Sequence, residues 1–170
     1  EASGVKVGII GLTYQWIAKT GDRSLTEGWS FGIREKETES FAIELRREHG
    51  CDIVIAISHM GKGADMKFAS RVRGIDAILG GHTHDLIERP VEITSPDKRK
   101  TLVCQAGAHG KNLGCLDLRV RDKSIAGYEC RVYRIRAGEI EPDPDVLKLV
   151  DEEYARYEGL GKVLGRTDTI

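Results

Sequence analysis

Ile53-Val54-Ile55-Ala56-Ile57-Ser58-His59-Met60-Gly61 is the stretch that decides the fold. Its first five residues are continuous and apolar, the pattern of a strand covered on both faces, and a polar turn carrying a histidine follows at once. A second apolar run, Ile75 to Leu79, leads into Gly80-Gly81-His82-Thr83-His84-Asp85. Between the two runs a helix is expected, capped by Asp65, with Met66, Ala69 and Val72 on its inner face and Gly74 at its end. Strand, helix and strand make a βαβ unit, whose strands are parallel and whose crossover is right-handed. Both histidine loops then leave the carboxyl edge of one sheet, where open α/β sheets bind ligands. Neighbouring strands lie about 4.8 Å apart, so His59 is expected to converge with His82 and His84. Residues i and i+2 of an extended chain point the same way, which aims His82 and His84 into one pocket. Imidazoles so gathered suit neighbouring divalent ions, which lie about 3.5–4 Å apart in dinuclear hydrolases.

Upstream, Val5 to Leu12 reads as a buried strand and Arg34 to His49 as a helix, with Thr38, Phe41, Ala42 and Leu45 inward and Gly50 at the stop position. The irregular segment between them, Thr13 to Ile33, is a functional loop or one that Trp16, Trp29 and Phe31 anchor to the core, and the anchored form is expected. Downstream, Val91 to Thr94, Thr101 to Gln105, Gly114 to Arg121 and Ile125 to Ile135 read as a meander of antiparallel hairpins. The loop from Ala106 to Asn112 carries His109 and Lys111, and His109 is expected on the rim of the histidine cleft. Asp85 should face away from His84 in extended chain, and is expected to cap a turn or orient a histidine. Pro142 and Pro144 break the chain, and Asp145 to Tyr157 reads as a solvent-facing helix with Val146, Leu149 and Val150 inward. Gly159-Leu160-Gly161 and Gly165-Arg166-Thr167 read as linker. The division expected is a domain over 1–141, then helix and linker over 142–170.

With 170 residues the chain suffices for one domain and a sizeable core, and 40% hydrophobic with 31% charged residues is a globular balance. A net charge of −1 offers no basic surplus for nucleic acid, and no apolar run approaches the length of a membrane span. Cys51, Cys104, Cys115 and Cys130 form no Cys-x-x-Cys pair. A two-residue turn at Asp122-Lys123 sets Cys115 opposite Cys130. A three-residue turn pairs Leu116 with Cys130 and Leu118 with Tyr128. The second register gathers the apolar side chains better, so free, buried thiols are expected.

Ile55 to Gly61, then Gly74-Ile75-Asp76 and Ile78 to Asp85, resemble the calcineurin-like metallophosphoesterases of the 5′-nucleotidase type. Within that group Trp29 to Glu35, Phe68 to Asp76 and His109-Gly110-Lys111 resemble the SoxB thiosulfohydrolases of the Sox sulfur-oxidation system. Gly165 to Thr169 resembles the passage into that family's C-terminal domain. Met60 stands where the thiosulfohydrolases are expected to carry Asn and many nucleotidases an apolar residue.

The resemblance implies an α/β fold, part of a four-layer αββα sandwich, and a pair of divalent metal ions. Manganese is favoured, with zinc or another divalent ion as the alternative. His59 and His82 would hold one ion and His84 the other, with His109 and Asp85 near the substrate. It implies hydrolysis of a thiosulfonate on a cysteine of a sulfur-carrier protein in the periplasm, releasing sulfate. The alternatives are a 5′-nucleotidase or other phosphoesterase acting on a nucleotide, and a non-catalytic binding module; neither nucleic acid nor membrane is implied. The family's Asp-x-His and Gly-Asn-His motifs do not occur before His59. The chain is therefore expected to be the C-terminal half of a catalytic domain, without a catalytic residue of its own and inactive alone.

Overall fold

The computed structural model describes residues 4–136, 138–157, 159, 162–163 and 165–166. Its elements run β1 (Val7–Leu12), α1 (Ile17–Thr20), a 3-10 turn (Arg23–Leu25), α2 (Glu35–Arg47), β2 (Ile53–Ser58), α3 (Lys62–Ala69), β3 (Ala77–Leu79), β4 (Val91–Thr94), β5 (Lys100–Cys104), β6 (Asn112–Arg121), β7 (Ser124–Arg134) and α4 (Pro144–Ala155). The chain divides into two compact units, Glu1–Ile135 and Arg136–Ile170.

The first unit is a mixed α/β sheet in the order β1-β2-β3-β5-β4, with β6-β7 as a separate hairpin. The strands β1, β2, β3 and β5 are parallel, and β4 alone is antiparallel. β2-α3-β3 is the expected βαβ unit, and β1-α2-β2 is a second one. The register runs Ile10↔Ala56, Ala56↔Ile78 and Ile78↔Val103, so one row of side chains crosses four strands. That row packs on Ala42 of α2 and on Phe68 and Ala69 of α3. Phe68 is almost wholly buried, a burial that contributes about 2–3 kcal/mol.

β2 is fully covered on one face, and on the other its cover runs out from buried Ile53 to exposed Ile57. Its other face continues through Val7, Ile9 and Leu79, and there Ile57 is 52% and Ile9 62% exposed. The long apolar run therefore lies on a sheet whose second face is only partly covered: Ile53 is buried there, and residues of the β6-β7 hairpin share a cavity with Leu79 and Cys104. Helix α2 also sits differently from its periodicity. A Cβ on Gly8 would lie 2.9 Å from Leu45 Cδ1, so helix and strand approach closely there. The buried seam runs through Thr38 and Ala42, with Leu45 against it, while Phe41 turns out beside Trp29 and Phe31. Trp16 and Trp29 are largely exposed and do not anchor the loop to the core.

Three further differences have local causes. Gly61, at φ +96°, starts α3, and Asp65 is drawn into the interior by the Ser58 hydroxyl instead of capping the helix. β5 leaves the expected meander to pair with β3 in parallel, so the hairpins are β4-β5 and β6-β7 only. In the second hairpin Asp122 and Lys123 both take positive φ, the geometry of a two-residue turn. A register shift between Arg119 and Val120 then restores Leu116↔Cys130 and Leu118↔Tyr128. All four cysteines are free, but only Cys51 is fully buried.

In the second unit Pro144 opens α4 instead of breaking the chain, because its missing N–H costs nothing in a first turn. The Asp143 carboxylate caps that turn, accepting from the Asp145 and Val146 N–H groups. Val146, Leu149 and Val150 are exposed. Leu160, Gly161 and residues 167–170 of the expected linker lie outside the described residues.

Candidate functional site

The carboxyl ends of β1, β2 and β3 meet at one corner of the sheet. The His59 N–H, just past β2, donates to the Leu12 carbonyl at the end of β1 (2.8 Å). His82, past β3, brings its Nδ1 to 3.3 Å from His59 Nε2, with the rings edge to face at 5.0 Å between centroids. Tyr14, past β1, stacks on His82 at 4.1 Å. Two imidazole nitrogens bound to one ion at about 2.1 Å each, at a tetrahedral angle, stand roughly 3.4 Å apart. The His59–His82 spacing fits that geometry, and it is also that of a direct N–H···N hydrogen bond between the two rings.

His84 takes another partner. Its ring lies 5.0 Å from that of His109, edge to face. The histidines thus fall into two pairs, His59 with His82 and His84 with His109. The extended-chain expectation does not describe this loop, because His82 and His84 have φ values of 76° and 59°. His109 is left-handed too, at 59°. Such backbones cost about 1–3 kcal/mol each and persist where their surroundings enforce them. Among the described residues, no group of three or more His, Cys, Asp or Glu side chains is arranged to hold a metal ion.

Gln105, buried at the end of β5, enforces part of this shape. In the amide orientation that satisfies its neighbours, its oxygen accepts from the His84 and Asp85 N–H groups at 3.0 and 3.1 Å. Its nitrogen then lies 3.3 Å from Thr83 Oγ1, which also accepts from the Lys62 N–H at 3.1 Å. The Asp85 carboxylate meets Thr83 and the Lys62 ammonium, at 3.2 Å, instead of a histidine. Those two contacts, the Thr83 hydroxyl foremost, hold its pKa below the usual value.

Tyr14, Lys62 and Gln105 carry no motif that singles them out in the sequence. Gln105 had one positional signal: it follows an apolar run at the same sheet edge, once β5 is known to be parallel.

No protein-family model matches the chain. It is 30% identical over 127 residues to the trifunctional nucleotide phosphoesterase protein YfkN of Bacillus subtilis, a match covering 74% of the chain and 8% of that protein. It is 27% identical to the 5′-nucleotidase of Diplobatis ommata, over 98% of the chain and 31% of the enzyme. The solved structure of the sulfate thiohydrolase SoxB from Thermus thermophilus superposes with a TM-score of 0.84 at 30% identity, over 92% of the chain and 28% of SoxB. The chain therefore spans less than a third of the length of each. The strand order, the histidine-bearing loops and these likenesses agree, and the chain belongs to the calcineurin-like metallophosphoesterases of the 5′-nucleotidase type.

Proposed function

We propose that the complete protein is a metal-dependent hydrolase that attacks a tetrahedral oxyanion group, and that His59 and His82 are ligands of one divalent ion. The 3.3 Å between their facing nitrogens carries this reading. His84 would hold a neighbouring ion, with His109 against its ring at the exposed rim, placed to meet substrate. Bound divalent ions would supply charge neutralisation on the transferred group and an activated water near neutral pH. The chain's own residues supply position. Tyr14 fixes the His82 ring from one side, and Gln105 fixes the backbone of His84. Lys62 draws the Asp85 carboxylate to itself, which leaves the imidazoles free for metal.

The substrate proposed is a thiosulfonate on a cysteine of a sulfur-carrier protein, in the periplasm and with manganese as the metal. The SoxB likeness supports it. A nucleotide substrate has comparable support from YfkN and the 5′-nucleotidase. A sulfonate and a phosphoryl group share tetrahedral shape and negative charge, so the same imidazoles serve either. The complete protein, loaded with manganese, is to be assayed on nucleoside 5′-monophosphates and on a protein-bound cysteine thiosulfonate. Chelator-sensitive sulfate release is expected. Phosphate release alone would select the nucleotide reading, and hydrolysis of neither would overturn the proposal.

A further inference from the structure

Asp65 is fully buried, yet only one of its carboxylate oxygens is used. Oδ1 accepts from the Ser58 hydroxyl at 2.5 Å. The same hydroxyl accepts from the Met60 N–H at 3.1 Å. Asp65 thereby holds Ser58, whose hydroxyl in turn holds the Met60 N–H on the other side of His59. Its other oxygen, Oδ2, has no hydrogen-bond partner. It lies instead against the backbone of the second histidine loop: a Cβ on Gly80 would stand 2.5 Å from it. Only glycine lets that backbone lie so close, and Gly81 and His82 follow directly.

One carboxyl group therefore sits between the two loops whose histidines touch. Its place in the first turn of α3 does not account for this. An acidic residue serving the helix dipole would face solvent at the helix end, whereas this one faces the sheet edge and Ser58. A buried oxygen without a partner costs about 1–3 kcal/mol, which an apolar side chain would have avoided. We propose that Asp65 is the positioning residue of the His59–His82 pair, setting the spacing at which both rings reach one divalent ion. The proposal deepens the reading of those histidines as ligands and rests on it for its functional meaning.

The test uses the second pair as an internal reference, since His84–His109 has the same 5.0 Å ring separation, whereas the Asp65 contacts with Ser58 and the Gly80 backbone border His59 and His82. Ring-to-ring nuclear Overhauser contacts are measured in the protein labelled in histidine. Asp65→Ala is expected to lose the His59–His82 contact and keep that of His84–His109. Asp65→Asn, which retains an acceptor for Ser58, is expected to keep both. Manganese affinity should fall about 10–100-fold in the alanine variant and much less in the asparagine variant. Should Asp65→Ala fail to fold, Ser58→Ala takes its place, with the same selective loss expected. Survival of the His59–His82 contact, or equal weakening of both pairs, would overturn the proposal. The selective loss without manganese binding by the unaltered protein would sustain the positioning role and remove the ligand reading instead.

Discussion

Asp65 and Asp76 lie at opposite ends of the same sheet, both almost inaccessible to water, and the fold treats them in opposite ways. Asp76 stands at the amino end of β3 with both oxygens occupied. Oδ2 accepts from the Val54 N–H at 2.7 Å and from Arg46, and Oδ1 accepts from Arg99 at 2.7 Å. Asp65 stands at the carboxyl end with one hydroxyl and an unused oxygen. Around Asp76 both carboxylate oxygens are spent on the chain's own donors, and the buried atom left without a partner there is the Arg46 Nε. Around Asp65 the chain keeps left-handed histidines, touching imidazoles and an unpartnered carboxyl oxygen. The amino edge spends its buried carboxylate on salt bridges and a backbone N–H, and the carboxyl edge leaves one carboxyl oxygen unused.

The largest effect should come from breaking the finished edge. Asp76→Ala leaves Arg46 and Arg99 facing each other without their shared anion. A loss of about 3 kcal/mol in urea unfolding is expected, the lower end for a broken buried pair because Arg99 is partly exposed. Its histidine contacts should survive in whatever fraction remains folded. Gly80→Ala attacks the other edge, where the new methyl would meet Asp65 Oδ2 at 2.5 Å and the Cys104 carbonyl at 3.3 Å. The expected loss is about 1–3 kcal/mol, accompanied by separation of His82 from His59. Gln105→Leu should cost about 1 kcal/mol by stranding the His84 and Asp85 N–H groups, and should loosen His84 from His109 while sparing His59–His82.

The smallest effect is a pH dependence. Burial raises the Asp65 pKa, with the Ser58 bond opposing it. A carboxyl whose pKa is higher folded than unfolded contributes stability that is complete below its unfolded value and lost as pH rises through the folded one. Asp65→Asn lacks this titration. The melting temperature of the unaltered protein relative to Asp65→Asn should therefore fall as pH is raised from 4 towards neutrality. A constant difference across that range would contradict the assignment.

Much of the fold was legible because its signals are local. Ile53 to Ile57 and the run into Leu79 announce strands, and the helix between them forces β2 and β3 to be parallel. The corner where His59 meets His82 follows from that topology alone. What escaped were features set by tertiary packing. Phe41 obeys helical periodicity but is turned out, because Gly8 brings β1 against Leu45. β5 reads as a hairpin strand, and its insertion beside β3 depends on pairing that no local pattern encodes. His84 was misaimed for a backbone reason: with His82 and His84 both at positive φ, the two-residue alternation of a strand no longer applies. Asp65 looked like a helix cap, since an aspartate before an apolar helical face has that signature whether or not it points inward.

The central claim is that the carboxyl-edge pair His59 and His82 binds a single ion. The direct measurement is a crystal structure of the complete protein with manganese, recorded at the manganese absorption edge. The account predicts one anomalous peak within about 2.3 Å of both His59 Nε2 and His82 Nδ1, with any second peak on His84. Manganese bound elsewhere, or the two rings in direct contact with no metal between them at saturating manganese, would contradict it.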